Sequence, residues 1–160
     1  MAYRSKAERE ARTATAERLC ELHQADLDGG RVFREAARVV SDESVAAICD
    51  DLARKRQVYA EELEQYLSEY ESEDHGSIKA AVHRAWLDLR ASFSTDNPAA
   101  VLAEVLRGER RLRAAYEEAV AALAGSPVLG LIQRQLREIK ADMARLAALY
   151  DAFKRRDAEE

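Results

Sequence analysis

Glycine, proline and long apolar runs are scarce in this sequence, and each scarcity excludes a class of structure. Six glycines and two prolines among 160 residues are too few for the many turns of a β-protein, whereas helix-favouring alanine, leucine, glutamate and arginine are abundant. No run of roughly eighteen apolar residues is present, so we expect no membrane-spanning helix. The N-terminus lacks the apolar core of a signal peptide. We therefore expect one all-α domain in the cytoplasm.

The sequence also lacks long runs of charge of one sign, because acidic and basic residues are interspersed throughout. The formal net charge is -5, and 34% of the residues are charged. This balance argues against nucleic acid and against a membrane surface as partners. We therefore expect the protein to form a homodimer or to bind another protein. Val39 and Leu106 lie off the apolar faces of the predicted helices, and we expect them to be exposed enough for such contacts.

Only two cysteines are present, Cys20 and Cys49. If the first two helices meet in a hairpin near Ser41, the two thiols lie roughly 20 Å apart along the helix axis. That separation is far beyond the reach of a disulfide. We therefore predict two buried, free thiols, as is usual in the cytoplasm.

Four long segments repeat apolar residues in steps of three and four, which is typical of helices that bury one face. Helix A is predicted at 6–40. Helix B follows a cap at Ser41 or Asp42 and runs to residue 72. Helix C is predicted at 98–124, capped by Asn97, and helix D at 127–155. A short crossover helix at 77–93 joins the second long helix to the third, and we expect 1–5 and 156–160 to fray.

A glycine pair, Gly29 and Gly30, interrupts helix A with two residues that disfavour helices. The pair indicates either a break or the close approach of a neighbouring helix. The apolar periodicity continues unchanged across the pair, which favours close approach.

Three apolar faces each contain one charged residue. Asp26 lies on the face of helix A, Arg56 on that of helix B and Glu109 on that of helix C. Glu109 can be read as a metal ligand, as half of an ion pair or as a residue at the rim. In the first two readings the charge is buried and needs a partner.

Several stretches resemble an uncharacterised bacterial family of ferritin-like four-helix-bundle proteins, a domain of unknown function. The stretches are 76–78, 83–86, 107–109 and 115–118, and the resemblance covers roughly residues 16–151. It implies a ferritin-like bundle with a crossover helix, and it implies no activity.

The ligand pattern of ferritin-like di-iron proteins does not carry over to this sequence. That pattern takes a Glu from each of two helices and a Glu-x-x-His pair from each of the other two. Glu109 matches, and Asp26 is a shorter substitute. In helix B, Arg56 and Tyr59 occupy the Glu and His positions; in helix D, we place Lys140 and Met143 there. No Glu-x-x-His is present in the sequence, so we predict neither an intact di-iron site nor any cofactor.

An internal ion-pair cluster is the hypothesis that these replacements favour. In it Arg56 donates to both Asp26 and Glu109, and Lys140 either joins them or extends to solvent. This hypothesis favours a non-catalytic protein that acts by self-association or by binding a partner.

The alternative is a metal-binding or di-iron oxidoreductase-type protein. It would hold iron or manganese at Asp26 and Glu109, with help from Asp142 or Glu62. A last motif, His83, Arg84 and Trp86, is either a surface patch or the packing face of the crossover helix.

Overall fold

The computed structural model describes residues 4–70 and 93–160, and these residues form four helices without a strand. Helix α1 spans Lys6–Val39, α2 spans Glu43–Tyr70, α3 spans Pro98–Ala122 and α4 spans Leu129–Glu159. The all-α prediction is thereby confirmed. None of the described helices is long and apolar enough to cross a membrane. The predicted short helix, with His83, Arg84 and Trp86, lies outside the described residues except for Phe93.

Side-chain caps start α2 and α3 where the sequence places them. The Asp42 carboxylate accepts a hydrogen bond from the backbone N–H of Val45 at 3.1 Å. The Asn97 side chain likewise accepts from the N–H of Ala100 at 3.0 Å. Pro98, which has no N–H to satisfy, is the first residue of α3. Each cap satisfies a donor that the first helical turn leaves unpaired.

The turn between α3 and α4 is longer than the sequence suggests. Helix α3 ends at Ala122 rather than at residue 124. Gly125, in the turn that follows, has a positive φ of 83°, a backbone conformation that glycine adopts without strain. Helix α4 begins at Leu129 and not at Pro127, since the N–H of Leu129 donates to the carbonyl of Ser126 and closes a separate turn first.

The C-terminal helix continues to Glu159 rather than ending at residue 155. The segment expected to fray, 156–160, is therefore helical over most of its length. The Arg156 guanidinium lies 5.0 Å from the centre of the Phe153 ring. A cation in the last turn also interacts favourably with the helix dipole.

Two apolar clusters fill the bundle, one toward each end. The first core joins the N-terminal half of α1, the C-terminal halves of α2 and α3, and the start of α4. The second core joins the C-terminal half of α1, the starts of α2 and α3, and the end of α4. Helices α1 and α4 therefore run in one direction, and α2 and α3 run in the other. The N–H of Ser41, in the α1–α2 turn, donates to the carbonyl of Asp96 just before α3 at 2.9 Å.

Helix α1 is continuous through the glycine pair, so the interpretation as a break is wrong and that of close approach is confirmed. A Cβ placed on Gly30 would lie 3.5 Å from the carbonyl oxygen of Ala53 and 3.8 Å from Cβ of Arg56. A Cβ on Gly29 would lie 3.8 Å from Cγ of Arg56. The two small residues thus lie against the stem of Arg56.

The expectation that Leu106 is exposed is wrong. Its exposed fraction is only 3%, and Val39 is half-buried. Helix α3 contacts α1 on one side and α4 on the other. Its buried stripe is therefore wider than a single line of residues in steps of three and four.

The two cysteines lie in different cores, Cys20 in the first and Cys49 in the second. Both are buried and neither forms a disulfide among the described residues, as predicted. Burial raises the pKa of the Cys49 thiol to about 12.

Candidate functional site

A layer of buried polar side chains crosses the bundle between the two apolar cores. Each member occupies the inward face of its helix in place of an apolar residue. Helices α1, α2 and α3 contribute one residue each and α4 contributes two; all are at most 7% exposed: Asp26, Arg56, Glu109, Gln135 and Asp142. We call this set the polar layer. Because burying a polar group without a partner is costly, the partners of each member define what the layer does.

Arg56 lies at the centre of the polar layer and is 0% exposed. Its Nε donates to Oε1 of Glu109 at 3.3 Å, and its Nη2 donates to Oε2 of the same carboxylate. This two-point geometry suits the planar guanidinium. The rings of Phe33 and Tyr59 lie 5.7 and 5.2 Å from the guanidinium carbon. The positive charge is therefore held both by a carboxylate and by aromatic faces.

Asp142 brings a second acid and a second cation into the layer. Its Oδ2 lies 3.5 Å from Nη1 of Arg56. Both of its carboxylate oxygens accept from Nζ of Lys55 at 3.0 Å. Lys55 is 35% exposed along its side chain, so this edge of the layer reaches solvent. We call Lys55, Arg56, Glu109 and Asp142 the ion-pair cluster.

A chain of hydrogen-bonding groups completes the layer on the α1 side. The Tyr116 hydroxyl lies 2.6 Å from Oδ2 of Asp26 and 2.8 Å from Oε1 of Gln135. Nε2 of Gln135 donates to the backbone carbonyl of Tyr59 at 3.4 Å. Oδ1 of Asp26 is buried and has no hydrogen-bond partner among the described residues. We call Asp26, Tyr116 and Gln135 the hydrogen-bond chain.

A half-exposed group of side chains borders the layer where α2 meets α4. The Tyr59 hydroxyl donates to Glu138 at 2.6 Å. Arg134 donates to Glu62 and, at 3.3 Å, to Glu138. The hydrogen bond from Tyr59 lowers the pKa of Glu138. This border ties the two helices together and keeps solvent away from Tyr59, which is only 2% exposed.

Burial dominates the electrostatics of the layer. It raises the pKa of Asp26 well above its ordinary range, and the Tyr116 hydrogen bond and the charge of Arg56 only partly oppose it. Burial also raises the pKa of Glu109, against the effect of Arg56. For Arg56 burial acts to lower the pKa, but Glu109 outweighs it and the pKa is raised. Arg56 therefore remains a cation at any ordinary pH.

The predicted site residues separate into those that meet and those that do not. Arg56 contacts Glu109, but the guanidinium makes its third interaction with Asp142 and not with Asp26. Asp26 interacts with Tyr116 instead. Lys140 is exposed on the surface and lies 3.8 Å from Glu117, so it takes no part in the layer.

Gln135 and Asp142 are the residues that sequence reasoning missed or misassigned. The predicted inward positions of helix D included Met143, which is half-buried, and the matching pair was placed at Lys140 and Met143. The observed inward stripe runs through Gln135, Ile139 and Asp142. The spacing of four and then three residues along this stripe is the sequence signal that could have identified Gln135 and Asp142 as inward-facing. The sequence pattern does not single out Gln135, and Asp142 is predicted only as a supporting ligand of the alternative metal site, because an apolar residue lies beside each.

The donor set does not fit a di-iron centre. Hard cations of this kind need several carboxylate oxygens that are free to coordinate. Both oxygens of Glu109 accept from Arg56, both oxygens of Asp142 accept from Lys55, and Oδ2 of Asp26 meets Tyr116. A guanidinium stands between the acids. Over residues 4–70 and 93–160, no three His, Cys, Asp or Glu side chains converge in a metal-binding group.

A comparison with protein families identifies a family for this chain. The family model described as "Domain of unknown function (DUF2383)" matches residues 14–122, more than half of the chain. The chain therefore belongs to this family, and the predicted resemblance to an uncharacterised domain is confirmed. The matched range ends before α4, short of the expected limit near residue 151. No curated protein and no solved structure matches the chain.

Proposed function

We propose that this member of the DUF2383 family is a non-catalytic, cytoplasmic bacterial protein of the ferritin-like class, in which an internal ion-pair cluster occupies the place of a di-iron site. One observation carries the proposal: the guanidinium of Arg56 lies at the centre of the bundle and binds Glu109 and Asp142. Two cations offset two acids there without a metal ion. In the proposed function the protein acts through its surface, by self-association or by binding another protein.

The direction of the helices supports the ferritin-like assignment. Helices α2 and α3 run parallel to each other, because both pass from the second core to the first. A parallel second and third helix is the arrangement that a long crossover connection produces in ferritin-like bundles. The contact of Ser41 with Asp96, at the end of the bundle where α3 begins, agrees with it.

The closure of the polar layer supports a non-catalytic role. Asp26, Arg56 and Gln135 are 0% exposed, and Glu109 is 2% exposed. A catalytic group has to touch its substrate, and these four side chains are enclosed by protein atoms. An ion-pair cluster of this kind fixes the register of the helices more than it adds net stability.

The surface indicates what kind of partner contact to expect. Val58, at 49%, is the one large apolar residue that is strongly exposed among the described residues. A second copy or another protein would therefore meet a mainly charged surface, and its binding would weaken with salt. Sedimentation velocity at low and at high salt measures this. A salt-independent dimer would contradict the proposed polar contact.

Metal content tests the proposal directly. The wild type, Glu109→Ala and the control Glu118→Ala, which alters an exposed glutamate of the same helix, are expressed with added iron and manganese and purified without chelator. We expect no stoichiometric metal in any of the three by mass spectrometry, and a loss of stability in Glu109→Ala alone. Stoichiometric metal in the wild type that is lost only in Glu109→Ala would overturn the proposal.

A further inference from the structure

The Tyr116 hydroxyl has one proton but faces two oxygen atoms. Oδ2 of Asp26 lies 2.6 Å away and Oε1 of Gln135 lies 2.8 Å away. If Asp26 were an ionised carboxylate, both atoms would only accept, and one of the two short contacts would have no proton. A proton on Asp26 satisfies both contacts, since Asp26 then donates to Tyr116 and Tyr116 donates to Gln135.

The orientation of the Gln135 amide is fixed by its other end. Nε2 lies 3.4 Å from the backbone carbonyl of Tyr59 and donates to it. Reversing the amide would place its oxygen against that carbonyl and leave two acceptors facing each other in a buried site. The side chain of Gln135 is fully buried, so water cannot compensate for such a contact. The amide oxygen therefore faces Tyr116.

The charges of the layer balance without Asp26. Lys55 and Arg56 supply two positive charges, and Glu109 and Asp142 supply two negative charges. An ionised Asp26 would add a fully buried charge with no ion-pair contact of its own. Its Oδ1 has no hydrogen-bond partner among the described residues. Leaving a neutral carbonyl oxygen without a partner costs far less than leaving an ionised one.

Titratable groups of α2 and α3 act on Asp26. The net effect raises the pKa of Asp26, with burial as the largest cause. Arg56 acts in the opposite direction, while the nearby acids act in the same direction as burial. The groups that act on Asp26 are Arg56 and Glu62 from α2 and Glu109 and Tyr116 from α3. Gln135 of α4 faces Asp26 through the Tyr116 hydroxyl that both contact.

We propose that Asp26 is a neutral carboxylic acid in the folded protein at neutral pH, which donates to Tyr116 and makes the hydrogen-bond chain a proton-binding centre of the bundle. The proton is bound only while the helices are packed, because the unfolded chain exposes Asp26 to water. Raising the pH therefore favours unfolding, and lowering it favours the packed bundle. The proposal rests on the geometry of the chain and not on the proposed biological role.

The sign of the pH effect follows from linkage. Above the ordinary Asp pKa of 3.8, the unfolded chain releases this proton while the folded bundle keeps it. Below the pKa of the folded state, the unfolding constant of the wild type should rise tenfold per pH unit through this group alone. Asp26→Asn replaces the neutral acid by an amide of the same shape and removes that contribution. In the ratio of the two unfolding constants, the contributions of all other titrating groups cancel.

Infrared spectroscopy and urea unfolding together test the proposal. In the wild type at neutral pH, we expect the carbonyl band of a protonated carboxylic acid, which carboxylates and amides do not produce. The band should vanish in Asp26→Asn and persist in Glu109→Gln and Asp142→Asn. In urea titrations from about pH 5 to 7, the unfolding constant of the wild type relative to Asp26→Asn should rise about a hundredfold.

Each contrary result overturns the proposal. Without the band in the wild type, no acid of the layer holds a proton. A band that persists in Asp26→Asn but vanishes in Glu109→Gln places the proton on Glu109. A pH-independent ratio of unfolding constants means that Asp26 is ionised in the folded state. An Asp26→Asn variant that does not fold means that an amide cannot replace the side chain, which an ionised Asp26 explains and a neutral one does not.

Discussion

The polar layer has two parts that are stabilised by different physics. In the ion-pair cluster, charges neutralise each other through short contacts such as that between Arg56 and Glu109. In the hydrogen-bond chain, Tyr116 links Asp26 to Gln135 without any cation in hydrogen-bond contact. Breaking a buried ion pair leaves a charge behind, whereas breaking a neutral hydrogen bond leaves only a dipole. The two parts should therefore respond very differently to similar substitutions.

Arg56→Met should have the largest effect. It removes the guanidinium and leaves the acids Glu109 and Asp142 without their shared cation. We expect a loss of about 3–5 kcal/mol in the free energy of unfolding, because an uncompensated buried charge is left. Urea titration with helix content as the readout measures it.

The double variant Arg56→Met, Glu109→Met sharpens this prediction. With both partners apolar, less charge is left unpaired, and we expect a smaller loss than in Arg56→Met alone. Simple additivity of the two single substitutions would show that Arg56 and Glu109 are not coupled. The ion-pair cluster would then be an incidental contact.

Tyr116→Phe should have an intermediate effect. It deletes the hydroxyl between Asp26 and Gln135 and leaves the ring in place. We expect a loss of about 1–3 kcal/mol, since buried polar groups then lose their partner. Tyr150→Phe is the matched control, because Tyr150 is half-buried on α4 and should lose under about 0.5 kcal/mol. Equal losses would remove any special role of the hydrogen-bond chain.

Substitutions of two lysines should have the smallest effects on stability, and the two form a matched pair. Lys55 contacts both oxygens of Asp142 at the edge of the layer, while Lys140 lies 3.8 Å from the half-exposed Glu117. Solvent screens both cations. We expect Lys55→Met to cost about 1 kcal/mol and Lys140→Met under about 0.5 kcal/mol. If Lys140→Met proved the more costly, the boundary drawn around the ion-pair cluster would be wrong.

Most of the fold was predictable because local signals agree with one another. Asp42 and Asn97 cap helices where short polar side chains precede apolar periodicity. Gly125 lies in the turn after α3 and has the positive φ that favours glycine there. The unusual residues Asp26, Arg56 and Glu109 were recognisable, because each is a charged residue in an otherwise apolar stripe.

The partners of these residues were only partly predictable. The sequence suggested that Arg56 joins Asp26 and Glu109, but a guanidinium in this bundle reaches Asp142 instead. Which acid it meets depends on the rotation and height of α4, and α4 offers several equivalent apolar stripes. For the same reason the sequence does not single out Gln135 and indicates Asp142 only as a possible metal ligand. Leu106 was placed on the surface because the width of the buried stripe of α3 depends on its neighbours.

The sequence by itself determined four long helices, the side-chain caps of α2 and α3, two well-separated cysteines and three charged residues in apolar faces. These features depend on neighbours along the chain, whose spacing is fixed by the geometry of the helix. Only the tertiary structure decided that Arg56 binds Glu109 and Asp142 while Asp26 meets Tyr116 and Gln135. Such contacts join residues far apart in the chain, and the relative rotation of the packed helices selects among partners that the sequence leaves equivalent.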